Sequence, residues 1–199
     1  GVNLMVGHLL LFHPAIIKIK KLIQDGSIGK LQYIYSNRIN LGKVRTEENV
    51  FWSLAPHDIA IFQFLTGSIP KKIQSSGSAF LQEKIPDSTL TSIEYENGVN
   101  GHIFVSWLHP FKEHRIVIIG SERMITFEDS SKGNPLKLYK KKYNMDQGVP
   151  EKVDGPVTLI EYEHKMALTE EMLYFSNHLN NKIPKIANGQ HALEVMEIL

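Results

Sequence analysis

The sequence contains no cysteine. Disulfides, thiolate metal sites and a cysteine nucleophile are therefore excluded, and the composition fits a reducing compartment. An excess of charge is missing too: 22 Lys and Arg against 21 Asp and Glu leave +1 among 199 residues. No whole-molecule field would draw nucleic acid or an anionic membrane. No apolar run approaches the roughly 20 residues of a membrane span. The apolar opening, Val2 to Phe12, has no basic flank, contains His8 and leads to no small-residue cleavage signal. It does not read as a secretory leader, and the expected location is the cytoplasm. Neither G-x-G-x-x-G nor G-x-x-x-x-G-K-[ST] occurs, and Gly26-Ser27-Ile28-Gly29 follows a helix rather than a strand, the wrong setting for a phosphate turn. No NAD(H) binding is expected of these residues alone. No serine stands in a nucleophile elbow, which leaves Ser/His hydrolysis unsupported.

What is present is ordinary for a globular chain: 42% hydrophobic and 22% charged residues, enough to bury a core without staples. Leu4-Met5-Val6 reads as a short buried strand. Pro14 starts a helix to about Gln24, with Ile16, Ile17, Ile19, Leu22 and Ile23 as its apolar stripe and Gly26 as its stop. Leu31 to Asn40 alternates as a strand. Leu41 to Val50 reads as a loop before a helix that runs to about Leu65 and ends at Gly67. Five strands follow, at 72–80, 88–95, 99–107, 115–119 and 123–127, with turns at Glu96-Asn97-Gly98 and Gly120-Ser121-Glu122. Their close spacing predicts an antiparallel meander. Residues 129–155 form a polar excursion with one strand at 136–139. Helices are expected at 163–179 and 191–199. The fold class is α+β, an open and mainly antiparallel sheet with helices on one face. Ile116-Val117-Ile118-Ile119 is apolar on both faces, so the second face needs a cover. A homo-oligomer formed through the sheet supplies one.

The run Trp52-Ser53-Leu54-Ala55-Pro56-His57-Asp58 opens the second helix. In a first turn, unpaired N–H groups disfavour imidazolium. His57 is therefore expected to be neutral near pH 7 and able to accept a proton from a hydroxyl. The position also suits a helix-start histidine with a local hydrogen bond. Ser53 is placed to cap the helix. His8, at the end of the first strand, is a pocket candidate. His8 with His13 and His109 with His114 lack ligand spacing and carboxylate partners, so no metal site is expected. Lys140-Lys141-Lys142 reads as a solvated hairpin edge, and Trp107 as core or subunit contact.

Three stretches carry a family resemblance. Val6-Gly7-His8 through Phe12-His13-Pro14-Ala15 leads to Leu22-Ile23, Gly26 and Ile28-Gly29-Lys30. Asn37-Arg38-Ile39-Asn40-Leu41-Gly42 precedes Trp52 to Ile59. Glu171 through Phe175 is followed by Pro184, Asn188-Gly189 and Leu193 to Leu199. In this order and spacing they resemble the glucose–fructose oxidoreductase and inositol dehydrogenase (Gfo/Idh/MocA) family of NAD(P)-dependent sugar dehydrogenases. The subgroup that looks nearest acts on nucleotide-linked amino sugars, as UDP-N-acetylglucosamine-type 3-dehydrogenases do.

The resemblance implies the carboxyl-terminal half of such an enzyme, a domain like that of glyceraldehyde-3-phosphate dehydrogenase, without a complete Rossmann domain. Residues 1–12 would be the last strand of a missing dinucleotide domain and its crossover. Residues 13–199 would bind substrate and oligomerise. The cofactor, NAD or NADP, would belong to the intact parent, together with the lysine of the family's Glu-Lys-Pro motif. The isolated chain would be inactive. His57 matches the histidine of the family's Asp-x-Gly-x-His, whereas Ser53 and Ala55 depart from it, and Ser53 cannot be an anionic partner. Arg38, Asn40 and Arg45, just ahead of His57, become candidates for contact with a sugar or nucleotide-sugar substrate, together with His8 and Ser53. An arginine fork suits a diphosphate, although Arg45 reads equally as a solvated charge. Asp58 projects from another side of the helix. The alternative is a non-catalytic module that dimerises or binds ligand through the same sheet.

Overall fold

The computed structural model describes residues 2–131, 133, 135–179 and 182–199. Helix α1, Pro14–Gln24, starts where the sequence requires: Pro14 lacks the N–H that a first turn leaves unpaired, and the ring Nδ1 of His13 accepts from the Ala15 N–H at 3.1 Å. Before it, Leu9–Phe12 makes a short 3-10 turn. Leu4 to Val6 is not a buried strand. Only Met5 bridges, to Asn188, and Leu4 is largely exposed. No neighbouring strand offers this segment a longer ladder among the described residues.

Strand β1, Leu31–Ile39, is followed by helix α2, Val50–Thr66, then by β2 (Pro70–Ser78), β3 (Ser88–Tyr95), β4 (Asn100–Ser106), β5 (Glu113–Gly120) and β6 (Met124–Glu128). These strands do not form one meander. With β7 (Leu136–Tyr139) and β10 (Val157–Leu159) the sheet order is β10-β7-β6-β5-β1-β4-β3-β2, and β1 lies between β4 and β5, parallel to the first and antiparallel to the second. Two antiparallel ladders thus flank a strand from earlier in the chain. At Asn97-Gly98 the hairpin closes as expected, with Gly98 at φ +82°, a conformation glycine adopts without a Cβ penalty. Gly120 permits another close approach, because a methyl group there would run into the Ile28 carbonyl.

The polar excursion carries more than one strand. Besides β7 (Leu136–Tyr139), β8 (Lys142–Asp146) and β9 (Val149–Val153) pair as a separate hairpin, and β10 (Val157–Leu159) closes the edge of the main sheet. Lys141 and Lys142 form exposed ion pairs with Asp154 and Glu122 there. Helices α3, Ala167–Ser176, and α4, Gly189–Ile198, complete the chain. The architecture is α+β, a mostly antiparallel mixed sheet with its helices on one face.

Cross-strand rows fix what each face holds. Ile34, Ile118, Ile125 and Leu138 line up on the helix side, as do Ser36, Ile116, Phe127 and Leu136. Helix α2 packs on β1, β3 and β4, and the 3-10 turn, α1 and α4 pack on α2. Being covered on both sides, α2 is apolar nearly all round: Ile59, Ala60, Ile61, Phe62 and Leu65 are all buried. Trp107 is part of this core. No helix among the described residues is long and apolar enough to cross a membrane.

Candidate active site

Helix α2 begins earlier than its motif indicates. Asn49 is its N-cap, and its side-chain oxygen accepts from the Trp52 N–H at 2.9 Å. Ser53 is therefore inside the helix and caps nothing. His57 lies about two turns in, beyond the reach of the unpaired N–H groups of the first turn. Its neutrality has another cause. Burial pushes the His57 imidazole below its ordinary range, the Arg38 guanidinium pushes the same way, and Asp58 only partly offsets them. The ring is half-buried, and Nδ1 is enclosed without a hydrogen-bond partner among the described residues. Pro56 sits directly before it, inside the helix.

Arg38 does not present a free fork. Its Nε donates to Asp58 Oδ2 at 2.8 Å and its Nη2 to Asp58 Oδ1 at 3.0 Å, with both residues buried. The geometry is bidentate and ties β1 to α2 beside His57. The third nitrogen, Nη1, faces His114 Nδ1 at 3.3 Å. Guanidinium can only donate, so this ring nitrogen accepts and His114 is neutral. Burial, Arg38 and Lys112 press His114 down to about 4, against Asp129 and Asp58. The donors that would grip a diphosphate are thus turned inward, and Asp58 anchors the helix from below.

His8 is brought to the site by the segment before the 3-10 turn. It is buried, and its Nε2 is enclosed and unpartnered. Burial, followed by the nearby His191 and His57, pushes its pKa down to about 4. His191, the third residue of α4, packs edge-to-face on His8 with ring centroids 5.3 Å apart. Burial lowers His191 as well, partly offset by Glu194 and by the Ala60 carbonyl beside it. Neither His191 ring nitrogen attains hydrogen-bond geometry. Ser53 stands one turn before His57 on the same face of α2. Asn40 is held at the end of β1 by its backbone N–H, which donates to the Ser106 carbonyl, and the exposed Arg45 pairs with Glu48 at 3.9 Å.

The candidate site therefore groups His57 with His8, His191 and the Arg38–Asp58 pair. His191 carries no signal in the sequence, and Asp58 and His114, both set aside there, join His57 only when β5 and α4 pack against β1 and α2. A cleft of about 390 Å³ between α1 and the segment entering α3 is lined by Pro14, Lys18, Tyr162 and Lys165 but not by His57. Among the described residues no three His, Asp or Glu side chains are grouped to hold a metal ion.

The family description "GFO/IDH/MocA C-terminal domain" matches residues 16–126. A 2,7-anhydro-N-acetylneuraminate hydratase from Mediterraneibacter gnavus is 28% identical over 69% of this chain and 41% of its own length. The uncharacterized oxidoreductase YrbE from Bacillus subtilis is 27% identical over 49% of this chain and 32% of its own. UDP-N-acetylglucosamine 3-dehydrogenase GnnA from Acidithiobacillus ferrooxidans shares the fold, with TM-score 0.79 at 21% identity, over 98% of this chain and 59% of that one. An aldose-aldose oxidoreductase from Caulobacter crescentus does so at TM-score 0.78 and 14% identity, over 98% of this chain and 59% of that one. The chain spans less than two thirds of each of these proteins.

Proposed function

Because the chain belongs to the GFO/IDH/MocA family, whose C-terminal domain covers residues 16–126, we propose that it is the substrate-binding and assembly half of an oxidoreductase that acts on the CH–OH of a sugar. The observation that carries this reading is the unpartnered, neutral imidazole of His57. Enclosed at Nδ1 and pushed below its ordinary pKa, it is a ready acceptor for the proton of a sugar hydroxyl. Removing that proton makes the carbon a better hydride donor.

The substrate we favour is a nucleotide-linked, N-acetylated sugar. The names of the hydratase and the 3-dehydrogenase both contain an N-acetylated amino sugar. His8 and Ser53 are the substrate contacts nearest to His57. Asn40 and Arg45 would reach only a more distant part, such as the nucleotide, and Arg38 acts through Asp58 and His57 rather than on a phosphate.

The family's cofactor is NAD or NADP, and the residues present do not form a cradle for it. The segment before α1 makes a single bridge, and among the described residues no strand leads through a glycine turn into a helix. We assign cofactor binding to polypeptide outside these residues, and the isolated chain is expected to be inactive. The open face of the sheet would join copies into a homo-oligomer. The 28% identity to a hydratase favours a second reading, in which the same histidine manages protons for addition or loss of water. A non-catalytic sheet module is the third.

His57→Ala in the full-length protein tests the proposal against UDP-N-acetylglucosamine. The expected loss in kcat/KM is on the order of 10²–10⁴-fold, with cofactor affinity unchanged. Turnover at the wild-type rate, or a wild-type protein idle on every N-acetylated nucleotide sugar, would overturn it.

A further inference from the structure

Among the described residues, four enclosed ring nitrogens lack a hydrogen-bond partner in one small region: His8 Nε2, His57 Nδ1, His191 Nδ1 and His191 Nε2. Leaving a buried polar atom unpaired costs about 1–3 kcal/mol, and native interiors rarely do so. Three histidines from three distant segments meeting this way is not what apolar packing produces. The elements that deliver them are firmly placed. Helix α4 lies on α2, and the Ala60 carbonyl, one turn beyond His57, stands beside the His191 ring. His8 fills the space next to His191, edge-to-face at 5.3 Å.

The orientation of His57 gives the cluster a direction. Its enclosed nitrogen is Nδ1, so Nε2 is the one left to meet a substrate. To accept a proton at Nε2 the neutral ring must carry its hydrogen on Nδ1. That hydrogen points inward, with no acceptor of its own.

We propose that His8 and His191 carry onward the proton that His57 collects, so that the three imidazoles form a relay from the substrate hydroxyl to solvent. The proposal rests on His57 being the base. The sugar O–H breaks as N–H forms at His57 Nε2. The Nδ1 proton leaves to a bridging water, which the polar nitrogens around it hold in place. His8 and His191 take up that proton at one ring nitrogen and release another from the second. Both His191 nitrogens are enclosed although the residue is partly exposed, so the last transfer to bulk solvent runs through a second water beside the ring. The charged groups facing the path are Arg38 from β1, Asp58 from α2 and Glu194 from α4. With neither His8 nor His191 prone to stay charged, no step traps the proton.

The test uses the full-length protein and follows proton release with a pH indicator during a single turnover, in dilute buffer and with added imidazole. His191→Phe and His191→Gln are expected to slow release about tenfold or more in dilute buffer. Added imidazole should restore it, with KM unchanged. A merely structural role would give a defect that imidazole does not repair. Release at the wild-type rate in every buffer, or a loss that imidazole leaves untouched, overturns the relay. His57→Ala separates the two claims. If it is inactive while both His191 variants behave as wild type, only the relay fails. If it turns over normally, the assignment of the base fails, and the relay with it.

Discussion

Burial, more than any neighbouring charge, sets the protonation of the histidines around α2. His8 and His114 titrate near 4 when folded and near 6.5 when unfolded. Between those values the unfolded chain binds the extra protons, so acid favours unfolding. Their contribution to stability is complete above about pH 6.5 and is lost as the pH falls toward 4. Urea midpoints measured across this window should decline, and His114→Gln should decline less steeply than the wild type. A profile flat from pH 7 to 4 would refute the assignment. The Arg38–Asp58 pair gives a second expectation. Asp58→Ala strands a buried guanidinium and should cost about 3–5 kcal/mol, whereas Arg38→Met with Asp58→Leu removes both charges and should restore most of it. A double-mutant cycle in urea measures the difference. His57 itself was legible as a candidate, since a histidine before an aspartate in an apolar helix is conspicuous. The reason for its neutrality was not. That comes first from burial and then from Arg38, and both depend on β1 lying beneath α2.

Elements were legible wherever their signals are local. Pro14, Asn97-Gly98 and Gly67 each act on the residues beside them, and α1, the β3–β4 hairpin and the end of α2 fall where they indicate. The start of α2 was misplaced because Ser53 is as good a cap by type as Asn49, and only the accepting geometry separates them. Asn49→Ala should therefore cost about 1 kcal/mol, while Ser53→Ala should change stability by less than about 0.5 kcal/mol. Chemical denaturation of the two variants decides between these caps, and the reverse order would return the helix start to Ser53. The position of β1 was not readable for a different reason. A strand's alternation reports which face is buried but not which strand lies beside it. Pairing β1 parallel to β4 needs the whole α2 crossover, and close spacing alone favours the simpler meander. The extra hairpin of β8 and β9 was missed because its strands are nearly all exposed and lack an apolar face.

At the scale of the whole molecule the sheet has one face under helices and one face open. The register places Tyr35, Val117 and Thr126 in one row of the open face, with Asn37, Phe104 and Leu90 in the next. Tyr33 and Tyr35 pack with His102 on the same side, and the Tyr33 hydroxyl meets His102 Nδ1. Charged residues surround this centre: Arg115 with Glu128 toward β6, and Lys71 with Glu94 toward β2. An apolar and aromatic centre inside a charged rim is how subunit interfaces are built. Val117 is 8% exposed in the single chain although no helix covers it, so flanking side chains already lean over a spot that a second copy would seal. A lysine there keeps the strand and can reach water from a lone chain, but it would be trapped between two packed sheets. The wild-type chain is expected to sediment as a dimer or larger assembly. Val117→Lys should sediment as a monomer with an unchanged circular dichroism spectrum. If instead the wild type remains monomeric up to high micromolar concentration, the open face is ordinary surface and the assembly role falls away, while the reading of His57 stands.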